Sequence, residues 1–356
     1  MTKTRVLIVT DSLDVGGIET YIYGVCKTID KKTFHVTVFV LDKERNALVK
    51  DIEAFGCRVV FATARGKLRQ MQEMMAVVRR YSIDIVHFQV RHSHLMLAAK
   101  VCGKKVILHS HFGSWQKSKN PIKAVLMKAF LWLFCDARLA CSEGAGENAF
   151  YGHDFMIAKN GIDMKKFAFN ESRRLALRKK HGLVNKKILL QVGRCNSNKN
   201  QSFSIKVLHE LRQHDDDYVL VLAGDDGGRD YIDPTIQSLG LEEHIVMLGN
   251  VDNIYDYYSF ADVFLLPSFS EGFPMTVIEA QVSGVDCIVS DTVTKKVGIS
   301  DTVTFASIHK SPSIWVDIIM NRTSYDRKVR RVNDASYDLS ATVPALEDVY
   351  KELARS

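Results

Sequence analysis

The stretch DVFLLPSFSEGFPMTVIEAQVSGVDCIVS, residues 262–290, decides how the chain folds. DVFLLP is a continuous apolar run that ends at Pro267. SFSEGFP is a glycine-bearing loop, MTVIEAQVSG carries a helical pattern, and DCIVS is apolar again. Apolar runs of this length without polar alternation read as strands buried on both faces, the habit of parallel sheets joined by helices. Strand, loop, helix and strand in that order make one parallel crossover unit.

The same alternation recurs along the chain. RVLIVT (5–10), HVTVFVL (35–41), RVVFA (58–62), IDIVHF (83–88), KVILHS (105–110) and ARLACS (137–142) form one series. KILLQVG (187–193), YVLVLAG (218–224), HIVMLG (244–249), DVFLLP, DCIVS and TVTFA (302–306) form a second. Two series imply two doubly wound, Rossmann-like α/β domains. A length of 356 residues suits two domains of ~150 to 200 residues. The break is expected near Lys165–Lys186, which is dense in charge and has no strand signal before Lys187. That gives domains 1–170 and 171–339. Ala345–Arg355 reads as a last helix with a one-sided pattern of Leu346, Val349, Tyr350 and Leu353.

Composition narrows the class. With 46% hydrophobic and 25% charged residues the chain is globular, and no repeat or low-complexity tract stands out. Seven scattered cysteines without a C-x-x-C pair argue against a zinc ribbon or a disulfide framework. Cys26, Cys102 and Cys287 read as small core residues of a chain in a reducing compartment. The N-terminus runs into RVLIVT with no apolar signal region, so a cytoplasmic location is expected. AVLMKAFLWLFCDARLAC (124–141) is interrupted by Lys128, Asp136 and Arg138 and falls short of a membrane span. Residues 1–170 hold 26 Lys and Arg against 15 Asp and Glu, a net +11, whereas residues 171–356 hold 22 against 26, a net −4. Such asymmetry suggests different partners for the two halves.

Doubly wound sheets bind ligands beyond the C-terminal ends of their strands, so two of them would face a shared cleft. Candidate residues stand at those positions. After the first strand, Gly16 and Gly17 precede a helical run, and bare amides at a helix N-terminus favour an anion. Glu19 and Thr20 follow, so the fingerprint G-x-G-x-x-G is absent, which counts against NAD. The fifth strand runs into HSHFGSW, placing His109 and His111 on one face; one of them is expected to bond a ligand, and spacing does not choose between them. A metal would need a convincing third ligand. None is evident, although His87, His92 and His94 follow a neighbouring strand, and no metal is expected. Past the strand KILLQVG, Arg194 and Lys199 supply two cations suited to a diphosphate. In the loop 268–274, Gly272 admits backbone amides to an anion, and the helix N-terminus near Pro274–Val277 adds partial positive charge. Glu279, about one and a half turns in, can accept sugar hydroxyls, while Glu271 lies nearer a reacting group.

Together these residues resemble the large family of retaining GT-B glycosyltransferases whose hallmark is E-x7-E, and the likeness covers nearly the whole chain. DVGGIE (14–19) resembles the family's N-terminal glycine loop, and VILHSH (106–111) its histidine strand. NGID (160–163) resembles the segment leading to the linker, and VGRCNSNKN (192–200) the donor-phosphate motif. SEGFPMTVIEAQVSG (270–284) carries the E-x7-E itself, the most specific of these signals. The resemblance implies that Arg194 and Lys199 bind the nucleotide diphosphate, Glu279 the ribose and Glu271 the donor sugar. It further implies that Gly272, Phe273, Pro274, Met275 and Thr276 form the loop around sugar and phosphates, and that Gly16 and Gly17 lie near the diphosphate. Among the histidines His111 is preferred as catalytic, with His109 as the alternative. The resemblance also implies that the terminal helix, residues 340–356, crosses back onto the first domain. Cys195, Asn200 and Gly284-Val285-Asp286 depart from the common pattern without removing a charge.

The implied reaction moves a sugar from a nucleoside diphosphate sugar, a UDP-sugar first of all, with retention of configuration and with neither metal nor other cofactor. Bacterial exopolysaccharide or capsule synthesis is the closest setting, with a glycan or polyprenyl-diphosphate-linked acceptor and no nucleic acid. Trp115, Lys117, Lys119, Lys123, Lys128 and Trp132 flank AFLWLFC, which fits peripheral contact with an anionic membrane at its inner face. Two rival readings are a nucleotide-sugar epimerase of the same fold and a non-catalytic sugar-nucleotide scaffold. The E-x7-E loop favours transfer over the first, and Arg194, Lys199, Glu271 and Glu279 argue against the second.

Overall fold

The computed structural model describes residues 3–14, 16–42, 44, 46–111, 121–225, 227–322, 327, 332 and 334–355. The chain forms two compact units, Met1–Ile162 with Ser336–Ser356, and Asp163–Ala335.

In the first unit the strands are β1 (Thr4–Thr10), β2 (Phe34–Val40), β3 (Arg58–Phe61), β4 (Ile85–Phe88), β5 (Lys105–Ser110), β6 (Ala137–Ala140) and β7 (Met156–Ile157). They pair in parallel in the order β3-β2-β1-β4-β5-β6-β7. Val6, Ile8 and their neighbours in β1 are fully buried because that strand is central and has helices on both faces. The strand order reverses between β1 and β4, and their C-terminal ends are where a doubly wound sheet binds ligands. The strand β7 has no counterpart in the sequence reading; it is two residues long and both are exposed.

The second unit contains β8 (Lys187–Val192), β9 (Tyr218–Ala223), β10 (Ile245–Gly249), β11 (Val263–Leu266), β12 (Asp286–Ser290) and β13 (Val303–Ala306). They are parallel in the order β10-β9-β8-β11-β12-β13 and reverse between β8 and β11. The charged stretch 165–186, expected as the break, is not a linker. It contains the helix Glu171–Lys180, whose Arg174 and Arg178 reach Asp262, just before β11, at 2.5 and 2.6 Å. Asp262 also accepts from the amide of Ile188 in β8. The charge density therefore fastens this helix to the second sheet, and the first unit ends at Ile162 rather than at 170.

The chain returns to the first unit at Ser336, and its last helix is Leu339–Arg355. Leu339, Val343, Leu346 and Tyr350 are buried with Ile22, Val25 and Phe34 in one core. The helix Gly17–Thr28 lies so close that a Cβ on Gly24 would come within 2.6 Å of Leu339 Cδ2. Polar ties accompany this packing: the amide of Asp30 donates to Glu347 at 2.7 Å, and Tyr350 OH meets His87 Nδ1 at 2.7 Å.

Candidate active site

In the second unit the loop after β8 and the loop after β11 are laced together. The amide of Phe269 donates to the carbonyl of Asn198, the Asn198 side chain donates to the carbonyl of Ser270, and the Asn200 side chain donates to the carbonyl of Pro267. Asn200 holds a left-handed conformation (φ 55°), which asparagine tolerates, and it starts the helix Gln201–Arg212. Gln191, buried and bonded to Ser204, anchors the carbonyl of Lys199 at 2.7 Å. The result is an ion pair, Lys199 Nζ to Glu271 Oε1 at 2.7 Å, with both side chains largely buried. Arg194 stands exposed at the end of the same strand, its carbonyl held by Gln201. Cys195, one of the departures from the common pattern, is a core residue here and lies in an apolar cluster.

The helix Met275–Val282 follows the loop, and no side chain caps its N-terminus. The amide of Val277 turns back to the carbonyl of Pro274, and a helix N-terminus without a side-chain cap is the arrangement that favours an anion. Ser268 Oγ and Thr276 Oγ1 are buried without a hydrogen-bond partner among the described residues. Glu279 is 7% exposed and accepts a hydrogen bond from Tyr258 OH at 2.6 Å. Burial pushes its carboxyl up to about 7, even though the tyrosine bond favours the charged form. Tyr258 is a residue that the sequence reading missed. It sits in IYDYYSF among other aromatics with no glycine to mark it, and only the helix packing brings it to Glu279.

In the first unit Gly16 and Gly17 open the helix Gly17–Thr28, again with no side-chain cap. No described residue lies within 4 Å of a Cβ built on Gly17. Tyr21 of the same helix packs on both histidine rings, with centroids 5.0 Å from His109 and from His111. His109 is fully enclosed between His87, stacked at 5.5 Å, and His111 at 4.0 Å. His111, just past β5, keeps 8% exposure and meets Gln89 Oε1 at 2.7 Å through Nε2. Burial holds His87 and His111 neutral, pulled down to about 3, and holds His109 well below its usual range. With Nε2–H donating to Gln89, His111 turns Nδ1 to the Asn160 side chain, which partly offsets its burial.

Of the other histidines, His92 pairs with Asp11 and His94 meets Gln70. Among the described residues no three His, Cys, Asp or Glu side chains are grouped to hold a metal ion.

Comparison with known proteins gives this geometry a family. The family model for Glycosyltransferase Family 4 matches residues 15–166, and the one for Glycosyl transferases group 1 matches residues 173–311. The chain belongs to the group 1 glycosyltransferases of GT-B fold. This glycosyltransferase is 27% identical to EpsF of Bacillus subtilis (strain 168), a glycosyltransferase by its name, over 98% of this chain and 96% of that one. It is 25% identical, over 63% of its length and 62% of the relative's, to the Escherichia coli UDP-Gal:alpha-D-GlcNAc-diphosphoundecaprenol alpha-1,3-galactosyltransferase. Its fold matches the crystal structure of Anabaena HepE in complex with UDP, with a TM-score of 0.81 at 17% identity, covering 99% of this chain and all of that one.

No helix among the described residues is long and apolar enough to cross a membrane. The helix Pro121–Phe134 nevertheless turns apolar residues outward: Ile122, Val125, Leu126 and Trp132 are each exposed by about two thirds, and only Leu131 is buried. Trp115, Lys117 and Lys119 lie outside the described residues.

Proposed function

We propose that this glycosyltransferase transfers a sugar from a UDP-sugar to a hydroxyl of a glycan or polyprenyl-diphosphate-linked acceptor, with retention and without a metal, in bacterial exopolysaccharide or capsule synthesis. The observation that carries the reading is the Lys199–Glu271 pair, laced into one loop cluster with an uncapped helix N-terminus. Cations and free amides are what a leaving diphosphate requires as its charge develops. Arg194 and Lys199 supply the cations, and the first amides of Met275–Val282 supply the dipoles. Glu271 contacts the donor sugar, and Glu279, oriented by Tyr258, accepts the ribose hydroxyls. In the first unit, His111 and the Gly16–Gly17 turn are the further residues proposed to serve the reaction. The leaving phosphate takes the acceptor proton on the same face, so no separate base is needed. A UDP-sugar donor is supported by the UDP named for HepE and for the galactosyltransferase, and a lipid-linked acceptor by the diphosphoundecaprenol in the latter's name. The outward apolar face of Pro121–Phe134, with Lys123 and Lys128 exposed on it, supports an acceptor met at an anionic membrane surface.

The test is a panel of nucleotide sugars scored by thermal shift, followed by donor turnover and NMR of the new anomeric centre. One UDP-sugar is expected to stabilise the protein and to give a product of the donor's own anomeric configuration. An inverted product would refute retention, and a panel without any stabilising nucleotide sugar would refute the donor assignment.

A further inference from the structure

Cys57 stands just before β3, after a turn at Gly56 whose φ is 78°. It is 6% exposed and lies in the wall of a pocket of about 320 Å3, together with His35, Glu53 and Arg58. Two other groups converge on its sulfur. Lys31 Nζ donates to Cys57 Sγ at 3.0 Å and also to the carbonyl of Cys26. Cys26, fully buried on the helix Gly17–Thr28, lies beside Cys57, and its carbonyl is 3.7 Å from the Cys57 sulfur. An ammonium directed at a sulfur favours its thiolate form. The Cys57 thiol is drawn down to about 6, first by the neighbouring Cys26 and then, against its own burial, by Lys31. The Cys26 thiol is driven the other way. Burial likewise raises the thiols of Cys135 and Cys141, to about 12 and about 11.

We infer that Cys57 is a nucleophilic thiolate that captures a low-molecular-weight disulfide from the pocket, with Lys31 as its counter-ion. In the capture step Cys57 Sγ attacks one sulfur of the disulfide. The new S–S bond forms as the old one breaks, and the other half leaves as a thiolate, so no further oxidant is needed. Lys31 remains protonated throughout, and Cys26 keeps its proton, so the mixed disulfide is not resolved internally. Lys31 and the Cys26 carbonyl meet the sulfur, and His35, Glu53 and Arg58 line the same pocket. This site uses none of the residues assigned to sugar transfer and does not depend on that assignment.

The experiment is competitive alkylation of the full chain by limiting iodoacetamide at pH 7, mapped by peptide mass spectrometry. Cys102 is the control, because it is more exposed than the other six cysteines and exposure alone would make it react first. Cys57 is expected to react about 10-fold faster than Cys102, the thiolate fraction outweighing its lower intrinsic nucleophilicity. Lys31→Met should slow Cys57 about 10-fold and leave Cys102 unchanged, while Lys31→Arg should keep most of the rate. Oxidised glutathione should then place one glutathionyl group on Cys57. Prior reaction of Cys102, an adduct on Cys26, or an unchanged Cys57 rate in folded Lys31→Met would each overturn the inference. If Lys31→Met does not fold, the wild-type ratio of the two rates decides.

Discussion

At the scale of single residues, the proposed donor site depends on charges that the fold has already partly committed. Lys199 is paired with Glu271, so a diphosphate must share or replace that contact, whereas Arg194 is exposed and has no ion pair among the described residues. Arg194→Ala and Lys199→Ala should each weaken UDP binding by ~1.5 to 3 kcal/mol, measured by calorimetry. Wild-type affinity in both would refute the assignment. Glu271→Gln should lower turnover mainly, and Glu279→Gln should lower nucleotide affinity mainly; steady-state kinetics with the reverse split would exchange their roles. Glu279 also makes a pH prediction. Its carboxyl is raised from 4.5 to about 7 by burial, so between those values the folded protein holds a proton that the unfolded chain has lost. Its contribution therefore favours folding at low pH and is lost as pH rises toward 7, by a total of about 3 kcal/mol. Thermal melts should show wild type losing stability relative to Glu279→Gln between pH 5 and pH 8. A difference that does not change with pH would mean the carboxyl is not held raised.

At the scale of elements, the terminal helix is the piece whose placement has most consequence for the first unit. Leu346 and Tyr350 enter the core beside β1 and β2, and Tyr350 OH meets His87, whose ring stacks on His109 and so on toward His111. The helix is thereby a wall of the histidine stack as well as a cover for the sheet. Tyr350→Phe removes a buried hydrogen bond and leaves His87 Nδ1 unpaired, which should cost about 1 to 3 kcal/mol. Leu346→Ala opens a cavity and should cost about 2 to 5 kcal/mol. Urea melts would check both, and values near zero would mean that the helix is not part of the cooperative unit. The sequence pattern of Leu346, Val349, Tyr350 and Leu353 marks an amphipathic helix, but amphipathicity does not name the surface that covers it. Gly24 and Leu339 supply that information, and their proximity exists only in the folded unit.

At the scale of the whole molecule, charge and apolar exposure coincide on one half of the sequence. Residues 1–170 carry +11, and the helix Pro121–Phe134 exposes Ile122, Val125, Leu126, Trp132 and Leu133 next to Lys123 and Lys128. A core helix would bury that face, so the structure removes the simplest explanation of its sequence. Each Lys near an anionic leaflet adds ~1 kcal/mol, screened by salt, and the apolar side chains add burial. Sedimentation with liposomes should show binding to anionic vesicles at low salt and little to neutral ones. It should weaken in Lys123→Gln with Lys128→Gln, and again in Trp132→Ser. Equal binding to both lipids would refute an electrostatic contact. Turnover should also survive excess EDTA, since Arg194, Lys199 and uncapped helix N-termini are proposed to carry the compensation; loss restored by a divalent ion would refute the metal-free reading.

What the sequence determined by itself was the two series of buried strands, because a parallel strand covered on both faces must be apolar throughout and announces itself without reference to its neighbours. RVLIVT, KILLQVG and DVFLLP became β1, β8 and β11 within a residue or so. The loops that follow those strands were legible for the same reason, since glycines and charges beyond an apolar run have few other uses. Tertiary structure alone decided the partners. Charge in residues 165–186 resembles a linker until Arg174 and Arg178 find Asp262. Tyr258 is an ordinary helical aromatic until it donates to Glu279. Cys26 and Cys57, 31 positions apart, are unrelated thiols in the sequence until the fold brings Lys31 to both. In each case the decisive energy is a hydrogen bond or ion pair between groups distant in sequence, made in a low-dielectric interior that the sequence does not describe and the fold creates.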